Sequence, residues 1–281
     1  MDNDSAFNMF WHGGPLPPLV WACMRSFVER GHCLRVFTYD DFAAPSGVIL
    51  EDAHGILASP RALDSYEALA KHADIFRYQL LHKHGGWWVD TDVYCLTDNP
   101  PRQAYAWAEQ EPGIINNAIL KFPKGDVLCG QLLAAAMRLQ NKSTNWGALG
   151  PALMSKIAAG HKDKDRAGSR ATFYPWHWLE SMFVWVPRAR PELERRVKDA
   201  QFLHFWTRAL HWMGINIYRD PPVESFLSHI IEGCPNRVTS DARDVVATYK
   251  SIQEFLSQDW VRDKWKTVLK TDPDEFFTTA S

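Results

Sequence analysis

The stretch from Ala70 to Asp92 constrains the fold more than any other part of this chain. It begins with the spacing of a helix, and the pair Gly85-Gly86 stands where a helix ends in left-handed backbone. An apolar run, Trp-Trp-Val, follows at once and leads into Asp90 and Asp92. A helix that passes through a glycine turn into an apolar strand is a unit of α/β proteins, so we expect that fold class.

The two carboxylates at the end of this strand lie two residues apart. Side chains at i and i+2 of a strand point to the same side, so we expect Asp90 and Asp92 to face together with Trp88. Such carboxylates repel each other unless a positive charge lies between them, and oxygen ligands suit a hard divalent cation such as Mn²⁺ or Mg²⁺. A solvated turn or a helix cap is the alternative, and the apolar residues before the pair favour the metal.

Apolar runs and helical spacings alternate along the chain, which predicts a parallel sheet with crossover helices. The predicted strands are 7–11, 34–39, 87–96, 104–108, 114–121 and 200–206. The predicted helices are 18–30, 62–84, 126–140, 149–159 and, within a mostly helical segment from about 222 onward, 250–269. Residues 162–166 have the composition of a solvated loop, and 172–187 match neither period.

Length and composition narrow the class of protein. The chain has 281 residues, and we predict a single domain over 1–281 with a core of about 5–215 and a helical C-terminal cap of about 222–281. The net charge of −2 argues against nucleic acid as the main partner, because no excess of Lys and Arg neutralises phosphates. The chain shows no run of about 18 apolar residues, no signal-type N-terminus and no Cys-x-x-Cys pair. We therefore expect a cytoplasmic protein with free thiols and at most peripheral contact with a membrane.

Two pairs of polar residues have more than one interpretation. Asp74 and Arg77 lie three residues apart on one helix face. They form either an ordinary surface ion pair or a pair that contacts sugar and phosphate oxygens. Asn116 and Asn117 either form a turn or reach a bound sugar or acceptor.

Three motifs resemble, in order and spacing, family 32 of the DXD-containing glycosyltransferases. They are Trp11-x-Gly-Gly, Ala73-Asp-x-x-Arg77 and Gly85-Gly-x-x-x-Asp-x-Asp92. This group includes enzymes of capsule and lipopolysaccharide synthesis, α-1,4-galactosyltransferases and mannosyltransferases, and the pattern is also similar to the catalytic domain of large clostridial glucosylating toxins. Weaker similarity continues in Gly150-Pro151, Phe173-Tyr-Pro175 and His204-Phe-Trp206. One departure is Trp87-Trp88, which is bulkier than the residues usual in the family.

The resemblance implies a Rossmann-like GT-A fold and a metal-dependent retaining transfer. A hexose would pass from a nucleotide diphosphate sugar, most often a UDP-sugar, to a saccharide or glycolipid acceptor in surface polysaccharide assembly. The resemblance implies that Asp92 is the direct metal ligand and that Asp90 contacts the ribose or a metal-bound water. It places His204 near the diphosphate and the metal, whereas its aromatic neighbours equally suit a satisfied buried histidine.

For the donor, the resemblance implies that Asp74 and Arg77 hold the sugar. Asn116 and Asn117 are further candidates for donor binding from the sequence alone. It implies that Trp11 stacks on the base. Without the resemblance, Trp11 is best interpreted as a core aromatic at the end of a strand.

Other functions fit parts of the pattern. A strand that ends in Asp-x-Asp also occurs in haloacid-dehalogenase-like phosphatases, and Asp90 would then be the nucleophile. These phosphatases need a later acidic pair, which Asp241-x-x-Asp244 matches poorly. A catalytically silent carbohydrate-binding relative would use the 13 tryptophans as stacking platforms. Within the transferase interpretation, Glu109 and Glu111 are the nearest candidate nucleophiles, and we favour front-face transfer without one.

Overall fold

The apolar runs of the sequence form the strands of a central sheet in a computed structural model of the protein, which describes residues 5–60, 63–142, 147–161 and 165–271. The strands are β1 (Phe7–Trp11), β2 (Leu34–Thr38), β3 (Ile49–Asp52), β4 (Gly86–Val89), β5 (Val93–Cys95), β6 (Tyr105–Glu111), β7 (Ile114–Phe122), β8 (Arg166–Ala167) and β9 (Phe202–His204). The α-helices are α1 (Pro18–Glu29), α2 (Tyr66–His84), α3 (Val127–Leu139), α4 (Pro151–Ala158), α5 (Arg170–Phe173), α6 (Arg190–Val197), α7 (Thr207–Trp212), α8 (Phe226–Ile230), α9 (Ala242–Leu256) and α10 (Asp259–Leu269). The predicted α/β class with a helical C-terminal region is confirmed.

The main sheet has seven strands in the order β3-β2-β1-β4-β7-β6-β8. β3, β2, β1 and β4 run parallel, whereas β7 is antiparallel to both β4 and β6. β5 and β9 form a separate antiparallel pair. The predicted parallel sheet is therefore correct for these four strands, and the sheet becomes mixed where β6 and β7 form a hairpin.

Local chemistry fixes both ends of α2, the helix that carries Asp74 and Arg77. Ser65 caps its start by accepting a hydrogen bond from a backbone N–H of the first turn. Gly85 ends it with a φ of 71°, at a point where a Cβ would lie only 2.6 Å from the backbone nitrogen of Lys124. The chain passes from this turn directly into β4, so the helix with Asp74 and Arg77 and the strand that leads to Asp90 are joined without a loop.

The core on one side of the sheet consists of apolar side chains from α2, α3, α4 and the strands. Phe76 of α2 stacks on Phe10 of β1, with 4.7 Å between the ring centroids, and its ring centroid lies 6.3 Å from that of Trp88 in β4. Burial of an aromatic side chain of this size contributes roughly 1.5–3 kcal/mol. This packing holds α2 against β1 and β4 and so fixes the positions from which Asp74 and Arg77 extend.

The strand predicted over 87–96 is interrupted at its two aspartates. β4 ends at Val89, a turn follows, and the N–H of Val93 donates to the carbonyl oxygen of Asp90 at 3.0 Å. The chain then enters β5, which pairs in the other sheet. Asp90 and Asp92 therefore lie in a turn between β4 and β5 and not inside one continuous strand.

The helix predicted over 250–269 is in fact two helices. α9 ends at Leu256, and α10 begins at Asp259. The break allows Phe255 of α9 to pack edge-on against Trp260 of α10, with 5.8 Å between the ring centroids. Each helix can then bury its own apolar side chains.

Several other predicted segments differ from the structure. Arg166, predicted in a loop, lies in β8, and the segment 172–187, which matched neither period, forms the end of α5 and a 3₁₀-helix at Trp178–Trp185. β3 was not predicted, because its four residues are exposed or half-buried at the lateral edge of the sheet and so form no buried apolar run. Three predicted pieces lie outside the described residues: 62 of the predicted helix, 162–164 of the predicted loop and 272–281 of the predicted cap.

The chain divides into two compact units. The first unit, Met1–Leu16, Cys23–Pro175 and Asp199–His204, contains all nine described strands. In the second unit, Pro17–Ala22, Trp176–Lys198 and Phe205–Ser281, the elements that the structure describes are helices. The predicted single domain with a helical cap stays a prediction.

Two sequence expectations concern the whole chain. All five cysteines are free thiols, as expected. In the part of the chain that the structure describes, no helix combines the length and the apolar character needed to cross a bilayer.

Candidate active site

The turn that carries Asp90 and Asp92 lies at the carboxyl-terminal edge of the sheet, where the parallel strands β1 and β4 end. Ligands of open α/β sheets bind beyond this edge. Trp11 is the last residue of β1 and lies at the same edge. It is half-buried, and its Nε1 donates to the carbonyl oxygen of Gly14 at 3.3 Å. The turn and Trp11 thus border one edge of the sheet.

Contacts of both the backbone and the side chain hold Asp90 in place. Its backbone N–H donates to the carbonyl oxygen of Ala118 at 2.9 Å, and its Oδ1 accepts a hydrogen bond from Nε1 of Trp88 at 2.7 Å. The same Oδ1 lies 3.1 Å from Nη1 of Arg77. The side chain nevertheless remains 28% exposed, so Asp90 is fixed in orientation and still accessible to a ligand.

Arg77 links Asp90 to a second carboxylate. Its Nη2 lies 3.2 Å from Oδ1 of Asp74, and its Nη1 donates to the backbone oxygen of Asn117 at 2.6 Å. The guanidinium also lies 5.0 Å from the ring centroid of Trp88. The Asp74–Arg77 pair is almost fully buried, so of the two interpretations of this pair the surface ion pair is excluded. A guanidinium with this many partners keeps a single orientation.

Asp74 is positioned by the side chain of Asn117 and by the backbone of Gly150, which lies close to both side chains. The Asn117 amide donates to Asp74 Oδ1 at 2.8 Å. A Cβ on Gly150, at the start of α4, would lie 3.0 Å from Asn117 Nδ2 and 3.1 Å from Asp74 Oδ1. A Cβ there would require Asn117 and Asp74 to shift by a few tenths of an ångström, and the one sequence signal for this glycine is the Gly150-Pro151 pair itself.

Asp90, Asp92 and His204 form a cluster of possible metal ligands. One ligand atom from each of the three residues lies within 4.8 Å of the others. Pairing of β5 with β9, with Val93 opposite His204, brings this histidine to the turn. Nε2 of His204 lies 3.2 Å from Oδ1 of Asp92. The two carboxylates suit a divalent cation such as Mn²⁺ or Mg²⁺, which prefers oxygen ligands, and His204 adds a nitrogen ligand of the kind that transition metals accept. Three protein ligands leave coordination positions open for a substrate.

The charges of the site favour a bound cation. Burial raises the pKa of Asp74 to about 6, although Arg77 and Asn117 oppose the shift. Burial also raises the pKa of Asp90, which Arg77 opposes and Asp92 reinforces. Burial acts to lower the pKa of Arg77, but Asp90 and Asp74 outweigh it and the pKa is raised. Asp74 and Asp90 thus share one permanent guanidinium while Asp92 adds negative charge beside Asp90, and an additional positive charge would relieve this repulsion.

Tyr174 is a further residue of the site, and sequence reasoning assigned it no role. It is buried, and its ring centroid lies 5.9 Å from that of His204. Burial, and then the charge of Asp90, raises the pKa of Tyr174 well above its ordinary value, so the phenol stays protonated. Its one sequence signal is the Phe173-Tyr-Pro175 motif.

Asn116 has partners different from those of Asn117. Its amide donates to Oε1 of Gln110 and its Oδ1 accepts from the N–H of Ala118, each at 2.6 Å. Neighbouring residues of a strand point to opposite sides, so Asn116 and Asn117 diverge, and the turn considered for this pair is a strand instead. Among the predicted site residues, the contacts and the ligand cluster given above bring together Asp74, Arg77, Asn117, Asp90, Asp92 and His204.

Three of the acidic residues considered for other mechanisms, Glu109, Asp241 and Asp244, have local partners. Glu109 is exposed and accepts a hydrogen bond from the N–H of Gly113 in the β6–β7 hairpin. Asp241 caps α9, and Asp244 forms an ion pair with Arg219. Local structure therefore accounts for Asp241 and Asp244 without a phosphatase site.

Comparison with known proteins matches the segment that carries Asp74, Arg77, Asp90 and Asp92. A family model for capsular polysaccharide synthesis proteins matches residues 65–107, which include α2, β4, both aspartates and β5. The inositol phosphoceramide mannosyltransferase 3 of Schizosaccharomyces pombe is 39% identical over 64 residues, which are 22% of this chain and 18% of that protein. The resemblance to glycosyltransferases is thereby confirmed, and the match spans less than a fifth of the curated relative.

Similar solved structures include two glycosyltransferases. The PaToxG glycosyltransferase has 13% sequence identity and a TM-score of 0.45, with 90% of this chain and 86% of that chain covered. A glycosyltransferase involved in the glycosylation of the major capsid of PBCV-1 has 12% identity and a TM-score of 0.35, with 73% and 98% covered. Both TM-scores are low, so neither likeness supports a conclusion about substrate or mechanism.

Proposed function

We propose that this chain is a metal-dependent retaining glycosyltransferase that moves a hexose from a nucleotide diphosphate sugar to a saccharide or glycolipid acceptor. The donor that we propose first is UDP-linked. The observation that carries the proposal is the unbroken series of contacts from Asp74 through Arg77 to Asp90, next to the cluster of Asp90, Asp92 and His204. A nucleotide sugar joins a hydroxyl-rich ring to a charged diphosphate, and the two ends of this series suit those two parts.

The acceptor and the cellular setting are proposed on separate grounds. The match of residues 65–107 to capsular polysaccharide synthesis proteins supports a role in surface polysaccharide assembly. The five free cysteines support a cytoplasmic location, where thiols stay reduced.

In the proposed mechanism, Asp92 and His204 would hold the cation directly, and Asp90 would contact either the cation or the ribose of the donor. When bound, Mn²⁺ or Mg²⁺ supplies positive charge that stabilises the departing diphosphate. Tyr174 packs beside His204 and limits the movement of the imidazole. Trp88 and Arg77 hold Asp90 in place, so that the carboxylate is oriented before a ligand arrives.

At the other end of the site, Asp74 and Arg77 bind the donor sugar. The Asp74 carboxylate accepts hydrogen bonds from sugar hydroxyls, and the amide of Asn117 fixes its orientation. Arg77 contacts Asp74 and Asp90 at once, so its guanidinium sets the distance between the sugar end and the diphosphate end. Trp11, at the same sheet edge, stacks on the base. A role for Asn116 in donor binding stays a prediction.

Retention of configuration in this site proceeds by front-face transfer. The acceptor oxygen bonds to the anomeric carbon on the side from which the diphosphate leaves, and the acceptor proton passes to an oxygen of that diphosphate. Support comes from carboxylates that could otherwise act as a nucleophile. Arg77 already engages Asp74 and Asp90, and Glu109 accepts a hydrogen bond within the β6–β7 hairpin. A covalent glycosyl-enzyme adduct, detected by mass spectrometry after incubation with donor alone, would contradict front-face transfer.

The experiment that tests the function is donor hydrolysis across a panel of UDP- and GDP-sugars in the presence of Mn²⁺. We expect nucleotide release from one donor, lost with EDTA and reduced about 100-fold or more in Asp92→Asn. The matched control is Asp98→Asn, because Asp98 is an exposed aspartate of the same unit that pairs with Arg30 at the surface. This variant should behave as the unchanged chain does.

The contradicting result is also specific. Absence of release from every donor, together with absence of Mn²⁺-dependent binding of UDP or GDP, would remove the transferase proposal. Binding of metal and nucleotide sugar without release would instead indicate a catalytically silent relative.

A further inference from the structure

Three tryptophans of the second unit form a cluster at the protein surface. The indole of Trp178 stacks on that of Trp260, with 6.3 Å between the ring centroids and 23° between the planes. Trp212 meets Trp178 edge-on, with 6.2 Å between their ring centroids. Trp212 is 40% exposed and Trp260 is 50% exposed, whereas most of the aromatic side chains that the structure describes are buried. Neighbouring exposed indoles of this kind mark an interaction surface more often than isolated ones do.

Two cations lie against these indoles. The Nζ of Lys264 is 5.7 Å from the ring centroid of Trp178, and the guanidinium carbon of Arg208 is 5.4 Å from that of Trp212. Lys264 lies four residues after Trp260 on α10, so both side chains extend from the same side of that helix. We call these five residues, Trp178, Trp212, Trp260, Arg208 and Lys264, the indole surface.

The arrangement indicates which kind of partner fits the indole surface. A sugar ring stacks on an open aromatic face, but here Trp178 is stacked on Trp260, and cations lie over the rings of Trp178 and Trp212. Exposed indoles with adjacent Lys and Arg instead have the composition of a membrane interface. There, indoles enter the headgroup region and the cations contact lipid phosphates.

We propose that the indole surface binds the surface of an anionic lipid bilayer. The complementarity is both apolar and electrostatic: the half-exposed indoles of Trp212 and Trp260 enter the headgroup layer, and Arg208 and Lys264 face its negative charge. The inference goes beyond the proposed transferase activity and does not depend on it.

The aromatic residues Phe255, Trp260 and Trp265 lie on the C-terminal helices α9 and α10, and they differ in exposure. Phe255 and Trp265 are buried, and Trp265 packs edge-on against Phe183 at 5.9 Å between ring centroids. Trp260 alone of the three aromatics is exposed, and its surface partners come from other parts of the second unit.

The test is cosedimentation of the full chain with vesicles of phosphatidylcholine alone and of phosphatidylcholine with about one third phosphatidylserine. We expect binding to the anionic vesicles, weakened when salt rises from about 0.1 to about 1 M because the Debye length falls from about 10 to about 3 Å. The double variant Trp212→Ala/Trp260→Ala should lose about tenfold in partitioning. Val223→Ala, which shortens an apolar side chain that is 80% exposed in the same unit, is the matched control and should bind unchanged.

Other outcomes would overturn the proposal. One is absence of sedimentation with anionic vesicles, and another is equal sedimentation of the double variant in its folded form. A third outcome would assign the indole surface to another partner. The chain would then not bind vesicles, but it would bind a soluble polysaccharide or associate with itself, and the same substitutions would abolish that binding. If circular dichroism shows that the double variant is unfolded, Lys264→Gln and Arg208→Gln decide: both must lower the salt-sensitive part of vesicle binding. Donor hydrolysis, measured in parallel, reports on the transferase proposal separately.

Discussion

Arg77 is the residue at which the two parts of the candidate site meet. Its guanidinium contacts Asp74, Asp90 and the backbone oxygen of Asn117, while the indole of Trp88 lies beside it. Lysine could also supply a single positive charge at this position. It could not replace the planar guanidinium, which reaches several acceptors at once.

Replacement of Arg77 by lysine should therefore affect activity far more than charge alone predicts. We expect Arg77→Lys to reduce donor hydrolysis by about 100-fold, because an ammonium cannot hold both carboxylates in place. The free energy of unfolding should fall by about 1–3 kcal/mol, since buried acceptors lose their donors. Nucleotide release and urea unfolding measure the two effects. Arg25→Lys, at a partly exposed pair with Glu29, is the control, and equal activity of both variants would contradict this role of Arg77.

Gly150 offers a second test at the scale of one residue, because it contains no functional group of its own. A Cβ there would lie 3.0 Å from Asn117 Nδ2 and 3.1 Å from Asp74 Oδ1, so Gly150→Ala must displace this pair. We expect about a tenfold loss of donor hydrolysis. Gly160→Ala is the matched control, because a Cβ at Gly160 meets nothing within 4 Å. Full activity of Gly150→Ala would show that the Asp74–Asn117 arrangement tolerates displacement and is not needed for the reaction.

At the scale of elements, local signals predicted the connection from α2 to β4 well. Helical spacing, the glycine turn and the apolar run are all contained in one short stretch, and the structure places α2, Gly85 and β4 accordingly. Contacts between residues far apart in the sequence were harder to predict. The position of His204 depends on the pairing of β9 with β5, for which a three-residue strand carries little local signal.

The contact between Arg77 and Asp90 could not be predicted for a related reason. Sequence spacing shows that Asp74 and Arg77 share a helix face, but it does not show which way that face points. α2 buries side chains on several sides, among them Phe76 and Tyr78, so its pattern indicates no clear inner face. Only the packing of α2 on β1 and β4 determines that Arg77 reaches the aspartate turn.

α2 also carries a buried histidine whose protonation should affect stability. Burial, and then the charge of His12, lowers the pKa of His72 to about 4. His72 shares a hydrogen bond with the hydroxyl of Tyr39 at 2.9 Å. Because the folded protein binds this proton less tightly than the unfolded chain, whose histidine pKa is about 6.5, stability should fall as the pH is lowered from about 6.5 towards 4.

We expect His72 to account for about 2 kcal/mol of the stability lost between pH 7 and pH 4. The measurement is urea unfolding at both pH values for the unchanged chain and for His72→Gln, whose amide can still form a hydrogen bond but does not titrate in this range. The difference between the two pH values should shrink in His72→Gln and stay unchanged in His211→Gln, a substitution at an exposed histidine. An identical pH dependence in all three proteins would exclude His72 as the cause.

At the scale of the whole molecule, the candidate site belongs to the first unit. Its residues come from Met1–Leu16, Cys23–Pro175 and Asp199–His204, so the chain returns from the second unit to add β9 and His204. The second unit contains the indole surface, and its proposed role is separate from the chemistry. Variants of either unit can therefore be assayed independently, for donor hydrolysis in one case and vesicle binding in the other.

The central claim is that Asp90, Asp92 and His204 hold a divalent cation through which a nucleotide diphosphate binds. The most direct measurement is calorimetric titration of UDP, and separately of GDP, into the full chain with Mn²⁺ and with EDTA. We predict that Mn²⁺ tightens the binding of one nucleotide at least about tenfold, and that Asp92→Asn abolishes this gain while Asp98→Asn retains it. Nucleotide affinity that is the same with Mn²⁺ and with EDTA, or a gain that persists in Asp92→Asn, would contradict the claim.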